Sequence, residues 1–171
     1  MTQSQTTSFQ WTSPEGAKHK NYDMSQSLSK NYIHLIFSTK YREAQMRKED
    51  FPDIYAYISG ILTNLDCPLI TIGGTSNHLH ILCVLNKNIA LSKMVEEVKK
   101  STSRWIKGKG SFYRQFAWQD GYGAFSVSQS KVETVSQYIR NQEAHHTTRT
   151  FEEELRIFLN EYKVEYNENY L

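Results

Sequence analysis

Between Leu69 and Leu85 two strand-like runs flank the turn-forming stretch Gly73-Gly74-Thr75-Ser76, and no other part of the chain constrains the fold as much. The runs Leu69–Ile72 and His78–Leu85 are β-branched and apolar and nearly contiguous, so they pair as antiparallel neighbours in a hairpin. What lies on either side of the hairpin then decides the architecture.

Upstream, Ile33, Leu35 and Phe37 alternate with Tyr32, His34 and Ile36, which predicts a strand from Tyr32 to Ser38. A charged connection, Thr39–Lys48, follows. Asp50 or a neighbour then caps a helix with Pro52 in its first turn. Ile54, Tyr57, Ile58, Ile61, Leu62 and Leu65 keep helical spacing until Pro68 stops the element. Downstream, Asn86–Asn88 break the pattern. Leu91, Met94, Val95, Val98, Thr102, Trp105 and Ile106 mark a second amphipathic helix, ended by Gly108 and Gly110. Phe116–Gln119 and Ala124–Val127, on either side of a Gly121-Tyr122-Gly123 bend, read as one interrupted fourth strand. Two capping boxes come next. Ser130-Lys131-Val132-Glu133 opens a helix running to about His145, and Thr150-Phe151-Glu152-Glu153 opens a last helix with Phe151, Leu155, Phe158 and Leu159 on its apolar side.

The order is β-α-β-β-α-β followed by two helices. It predicts an α+β, ferredoxin-like split β-α-β fold with a four-stranded antiparallel sheet, helices on one face and the other face available. Residues 1–28 are rich in Ser, Thr and Gln without apolar periodicity and read as a flexible leader, with Met24 a candidate start; residues 29–171 form the folded domain. Such an order hosts many functions, so function must come from side chains.

Composition narrows the classes. At 39% apolar and 22% charged residues the chain is an ordinary globular one, with no apolar stretch of membrane-spanning length and no secretory signal. Cys67 and Cys83 lack motif spacing and read as packed, reduced thiols of a cytoplasmic protein. Net charge is only +2, yet Lys99, Lys100, Arg104, Lys107, Lys109 and Arg114 share one segment without an acid. A solvated helix face explains such a patch, and so does a polyanion bound at one place.

The chemistry-bearing stretch is the second strand of the hairpin. Side chains alternate along a strand, so His78 and His80 share a face while Leu79 takes the other. An isolated His-x-His is more often a packed pair than a ligand pair. Here a second set accompanies it. On the helix after Ser130, Val132, Val135 and Ile139 form the apolar stripe. Tyr138 and Gln142 stand four residues apart on one side bordering that stripe. Two imidazoles and an amide oxygen leave coordination positions open, as a catalytic metal requires. Tyr138, one turn from Gln142, is placed to offer a phenol to phosphorus, and a phenolate makes a reversible nucleophile.

These residues carry a resemblance. MSQSLSKNYIHLIFSTK from Met24 to Lys40, His78-Leu79-His80, WQDGYGAFSVS from Trp118 to Ser128, and VSQYIRNQEAHH from Val135 to His146 are together similar to the single-tyrosine HUH transposases of small insertion sequences, with REP-associated tyrosine transposases as close relatives. The resemblance runs from about Met24 to the end of the chain. It implies cleavage and rejoining of single-stranded DNA at hairpin-containing element ends, without hydrolysis. Tyr138 matches the nucleophile that forms a 5′-phosphotyrosine link. His78, His80 and Gln142 match the ligands of Mg²⁺ or Mn²⁺. A homodimer is implied, with active sites that are often shared between subunits. Asn77 stands where many relatives have an aspartate, which weakens an orienting-carboxylate argument for His78.

Secondary candidates follow from residue chemistry. Lys100, Arg104, Lys107 and Arg114 are the expected phosphate contacts. Trp118, Tyr122 and Phe125 are candidates for stacking on unpaired bases, with core packing an equal alternative. His145 and His146 suit the end of the tyrosine helix, and His34 reads as a packed, hydrogen-bonded histidine. Other readings stay open: a replication- or conjugation-initiator nuclease of the same chemistry, a domesticated relative acting on chromosomal repeats, or a non-catalytic module that binds single-stranded nucleic acid on an open sheet face.

Overall fold

The structure is a computed structural model that describes residues 27–142 and 150–168. Its elements run β1 (Asn31–Ser38), α1 (Phe51–Asn64), β2 (Leu69–Gly74), β3 (His78–Leu85), α2 (Leu91–Lys107), β4 (Gly123–Val127), α3 (Val132–Arg140) and α4 (Phe151–Glu161). The four strands form one antiparallel sheet in the order β2-β3-β1-β4, the ferredoxin-like arrangement that the sequence predicts. The hairpin is tighter than expected, because Gly73 and Gly74 belong to β2 and the turn shrinks to Thr75–Asn77. Phe116–Gln119 is not strand. Of the expected interrupted strand only Gly123–Val127 pairs fully, and Trp118 makes a single bridge to Thr39.

Alternation in β1 and β3 builds two different faces. Leu35, Phe37, Leu79, Ile81 and Cys83 pack with Ile54, Ile58 and Leu62 of α1 and Met94, Val95 and Val98 of α2. Burying each such side chain contributes roughly 1.5–3 kcal/mol, so this layer carries most of the stability. Tyr32, His34, Ile36, His78, His80 and Leu82 occupy the second face. Helices cover that face too. Ile139, Val132 and Val135 of α3 close over Tyr32, Leu82 and Val127, while Phe151, Leu155 and Leu159 of α4 close over Ile36 and Phe125. The expectation of an available sheet face is therefore corrected: a stripe of apolar residues on each C-terminal helix needs a partner, and the sheet supplies it.

Glycines set how close those helices come. One row across the sheet reads Gly73, His80, Ile36, Gly123, from edge to edge. A Cβ on Gly73 would stand 2.3 Å from the Ile139 carbonyl oxygen, and one on Gly123 would meet Phe125 and Leu155. The two ends of the row, Gly73 beside His80 and Gly123 beside Ile36, are thus bare of side chains, which lets α3 and α4 descend onto the sheet there.

The two capping boxes differ in outcome. Thr150 is extended, its hydroxyl accepts from the Glu153 amide at 3.2 Å, and its own amide donates to Glu153 Oε2 at 2.9 Å. The Ser130 box does not form. A 3-10 turn at Gln129–Lys131 leads straight into α3, and Glu133 instead accepts from Gln137 and Arg140. Asp50 likewise precedes α1 without capping it, because its carboxylate accepts from Tyr113 and Arg47. Most of the expected leader, and Glu143, His145 and His146, lie outside the described residues. Cys67 and Cys83 are buried free thiols, and burial pushes Cys83 up to about 12. No described helix is long and apolar enough to cross a membrane.

Candidate functional site

Strand β3 delivers His78 and His80 to the covered face, and neither is exposed to solvent. Their ring centroids are 5.1 Å apart. Each ring is gripped at Nδ1. His78 Nδ1 donates to Asn77 Oδ1 at 2.7 Å and lies 2.9 Å from Thr75 Oγ1. Asn77 is fixed in turn, since Thr75 Oγ1 donates to Asn77 Oδ1 and Asn77 Nδ2 donates to the Arg42 carbonyl. An amide oxygen thus orients His78 without a carboxylate. His80 Nδ1 is 3.0 Å from His34 Nε2, one ring donating and the other accepting. Burial, then the neighbouring His80, lowers the His34 pKa to about 3, so His34 is neutral. With both Nδ1 atoms engaged, both Nε2 atoms turn to the same small volume.

Two further side chains enter that volume from the C-terminal part of the chain. Gln142, just beyond α3, is 1% exposed and sets Oε1 3.4 Å from His78 Nε2. Its amide nitrogen donates to Glu154 Oε1 at 3.0 Å. Glu154, in the first turns of α4, is also buried and places Oε2 3.4 Å from His80 Nε2 and 3.9 Å from His78 Nε2. Burial raises the Glu154 pKa to about 8. His78, His80 and Glu154 each present a ligand atom within 4.8 Å of the others, the spacing of a cation site. Imidazole and carboxylate donors suit a divalent metal. A carboxylate this deep is costly to ionise alone, and a cation removes that cost.

Tyr138 of α3 is half-buried over the same centre, its ring edge-on to His80 with centroids 6.0 Å apart and to His34 at 6.4 Å. Phe158 and Phe151 wall the site, 5.8 Å from Tyr138 and 4.8 Å from His78. Beside it a cleft of about 510 Å³ is lined by Arg42, Tyr122, Phe151, Leu155 and Tyr166.

The structure therefore brings Tyr138, His78, His80 and Gln142 together within one chain. It does not bring the expected phosphate contacts to them. Lys100, Arg104 and Lys107 project from α2 on the far side of the sheet, and Arg114 follows that helix; all four are exposed and in no ion pair among the described residues. Lys99 and Lys109 serve the fold, Lys99 donating to the Gln119 and Gly121 carbonyls and Lys109 pairing with Asp50 and Asp53. Two stacking candidates are core residues. Trp118 packs on Phe37 and Phe116 with its N–H on Thr102 Oγ1, and Phe125 stacks on Phe158. Tyr122 alone of the three is exposed.

Glu154 is the residue that sequence reasoning missed. Its signal was present: it lies three residues after Phe151 and four before Phe158, an acid on the apolar stripe of its own helix.

A covered His-x-His strand facing Tyr138 of α3 and Gln142 just past that helix, on a ferredoxin-like sheet, defines a class of α+β proteins with a candidate cation site beside a phenol. The chain belongs to the transposase IS200-like family, whose model matches residues 27–142. A Deinococcus radiodurans R1 protein described as a transposase is 22% identical with a TM-score of 0.54, over 74% of this chain and 97% of that one. A REP-associated tyrosine transposase bound to a REP hairpin is 13% identical with a TM-score of 0.55, over 76% and 74% of the two chains. At these identities both show the shared fold. Compared with curated proteins, the chain has no match.

Proposed function

We propose that this transposase cuts and rejoins single-stranded DNA at the hairpin-bearing ends of an insertion sequence, with Tyr138 as nucleophile. The observation that carries the reading is the meeting of Tyr138 with His78 and His80, sixty residues apart in sequence, in one buried centre. The Tyr138 oxygen attacks phosphorus after losing its proton. The bond from phosphorus to the 3′ oxygen breaks, that oxygen takes up a proton, and a 5′-phosphotyrosine and a free 3′-hydroxyl result. Reversal by another 3′-hydroxyl rejoins the strand, and the energy of the phosphodiester is kept throughout.

His78 and His80, with Gln142, would hold the metal, Mg²⁺ or Mn²⁺. Bound there, the ion supplies charge neutralisation at the non-bridging phosphate oxygens. His34 and Asn77 fix both imidazoles with Nε2 inward, and Phe151 and Phe158 keep bulk water from the centre. Lys100, Arg104, Lys107 and Arg114, remote from the centre, suit the duplex arm of a hairpin, and Tyr122 suits an unpaired base near the cleft. The hairpin partner is supported by the REP hairpin held by the structural relative. A module that grips nucleic acid on an open sheet face finds less support, because α3 and α4 cover that face.

The test is incubation of labelled single-stranded element ends with the protein and Mn²⁺, read on a denaturing gel. Wild type forms a covalent protein–DNA band. Tyr138→Phe loses it while retaining hairpin binding in a shift assay. A covalent band from the Phe variant would remove Tyr138 from the reaction.

A further inference from the structure

The family match ends at residue 142, yet the cation-like cluster draws one member from beyond it. We infer that Glu154, on α4, is a direct ligand of the divalent cation, joining His78 and His80 and giving the site its negative charge. The inference rests on reading the His78/His80 pair as a metal site.

Geometry is the first support. Donors bound to one cation at about 2.1 Å stand ~3.0 Å apart at right angles and ~3.4 Å apart at the tetrahedral angle. Glu154 Oε2 is 3.4 Å from His80 Nε2 and 3.9 Å from His78 Nε2, so a small contraction seats one ion among the three. Orientation is the second. Glu154 Oε1 accepts from the Gln142 amide at 3.0 Å, which leaves Oε2 turned to the imidazoles. Gln142 thereby gains a role besides that of ligand: it positions the carboxylate. Burial is the third. Glu154 is 6% exposed, at a place on α4 where Phe151 and Phe158 on the same side pack against the centre. An acid kept in such surroundings is matched by a cation.

A site of two neutral imidazoles and one carboxylate is harder and more anionic than one of imidazoles and an amide. It holds oxygen-preferring Mg²⁺ and Mn²⁺ better, and in a six-coordinate shell it still leaves places for phosphate oxygens and water. It also makes docking of α4 a condition of metal binding.

The test titrates Mn²⁺ alone into the full-length protein by calorimetry, for wild type, Glu154→Gln, Glu154→Asp and His80→Ala. Glu154→Gln keeps the shape and removes the charge, and its Kd is expected to rise at least tenfold. Glu154→Asp keeps the charge on a shorter arm and falls between, and His80→Ala abolishes uptake. Circular dichroism of metal-free Glu154→Gln should match wild type, since a neutral amide is cheaper to bury than a carboxylate. Should that variant fail to fold, the Glu154→Asp titration decides, and a wild-type Kd there overturns the assignment. A Glu154→Gln Kd within twofold of wild type, with His80→Ala still inactive in binding, removes Glu154 while leaving the His pair standing. Absence of any Mn²⁺ uptake by wild type removes both.

Discussion

Asn77 and His34 show what one residue does in this site. Neither touches the proposed centre, yet each fixes the Nδ1 side of an imidazole whose Nε2 faces it. If His80 Nε2 binds a metal, its Nδ1 carries the proton and donates to His34. His34→Ala leaves that N–H buried and the ring free to turn, and outer-shell losses of this kind weaken metal binding about 10–100-fold. Mn²⁺ titration checks this, and rescue by His34→Gln, which restores an acceptor, separates orientation from simple packing loss. Asp50 makes the same point for stability. Its desolvation pushes the carboxyl up, but hydrogen bonds from Tyr113, Arg47 and Lys109 outweigh that and hold it below its ordinary value. Its contribution is whole above the ~3.9 of an unfolded aspartate and is lost as pH falls through the lower folded value. Asp50→Asn, which weakens acceptors for a buried Tyr113 hydroxyl, should cost about 1–3 kcal/mol at neutral pH by urea denaturation, with the difference shrinking in acid. From sequence His34 reads as a packed histidine, and its partner stays hidden because the diagonal to His80 depends on strand register.

At the scale of elements, helical periodicity located α1 and α2, and apolar runs bounded by turn residues located the strands, although the fourth was expected to begin at Phe116 and pairs fully only from Gly123. What the pattern did not separate is the pair of boxes at Ser130 and Thr150. Both have hydroxyl, two residues, then Glu, but a cap needs extended backbone at its first residue. Thr150 has φ −79° and ψ 163°, whereas Ser130 lies inside a 3-10 turn between β4 and α3. Nor does the sequence show that α3 rests on Gly73, since that contact is long-range. Gly73→Ala sets a methyl carbon where 2.3 Å separates it from the Ile139 carbonyl. The tyrosine helix must lift, at a cost of about 1–3 kcal/mol for an overpacked contact. Covalent adduct formation should fall further than stability does, because Tyr138 and Gln142 move together with Ile139. A melting curve beside the gel assay distinguishes the two, and an Ala variant with full adduct yield would show that α3 tolerates the shift.

Taken whole, the molecule builds its site from both ends of the domain: strands from the split β-α-β core, then α3 and α4 folded back over the second sheet face. The resemblance implies a homodimer with sites often shared between subunits, and the connection from β4 to α3 bears on that. Only residues 128–131 join Val127 to Val132, a span of at most about 18 Å if fully extended. Gln129 in that span accepts a hydrogen bond from the Tyr32 hydroxyl of β1, so the tether is fastened to the sheet that carries the histidines. The helix is held again at its far end, where Ile139 meets Gly73 and Gln142 bonds Glu154. Exchanging α3 with a second chain would require the Tyr32–Gln129 fastening and the seat on Gly73 to open first. Tyr138 is therefore expected to work with the His78 and His80 of its own chain, whether or not copies associate. Mixing Tyr138→Phe with His80→Ala, each inactive alone, should give no covalent DNA adduct at any ratio. Recovery of adduct in the mixture would mean that the helix passes between chains and that the short tether opens in the active assembly.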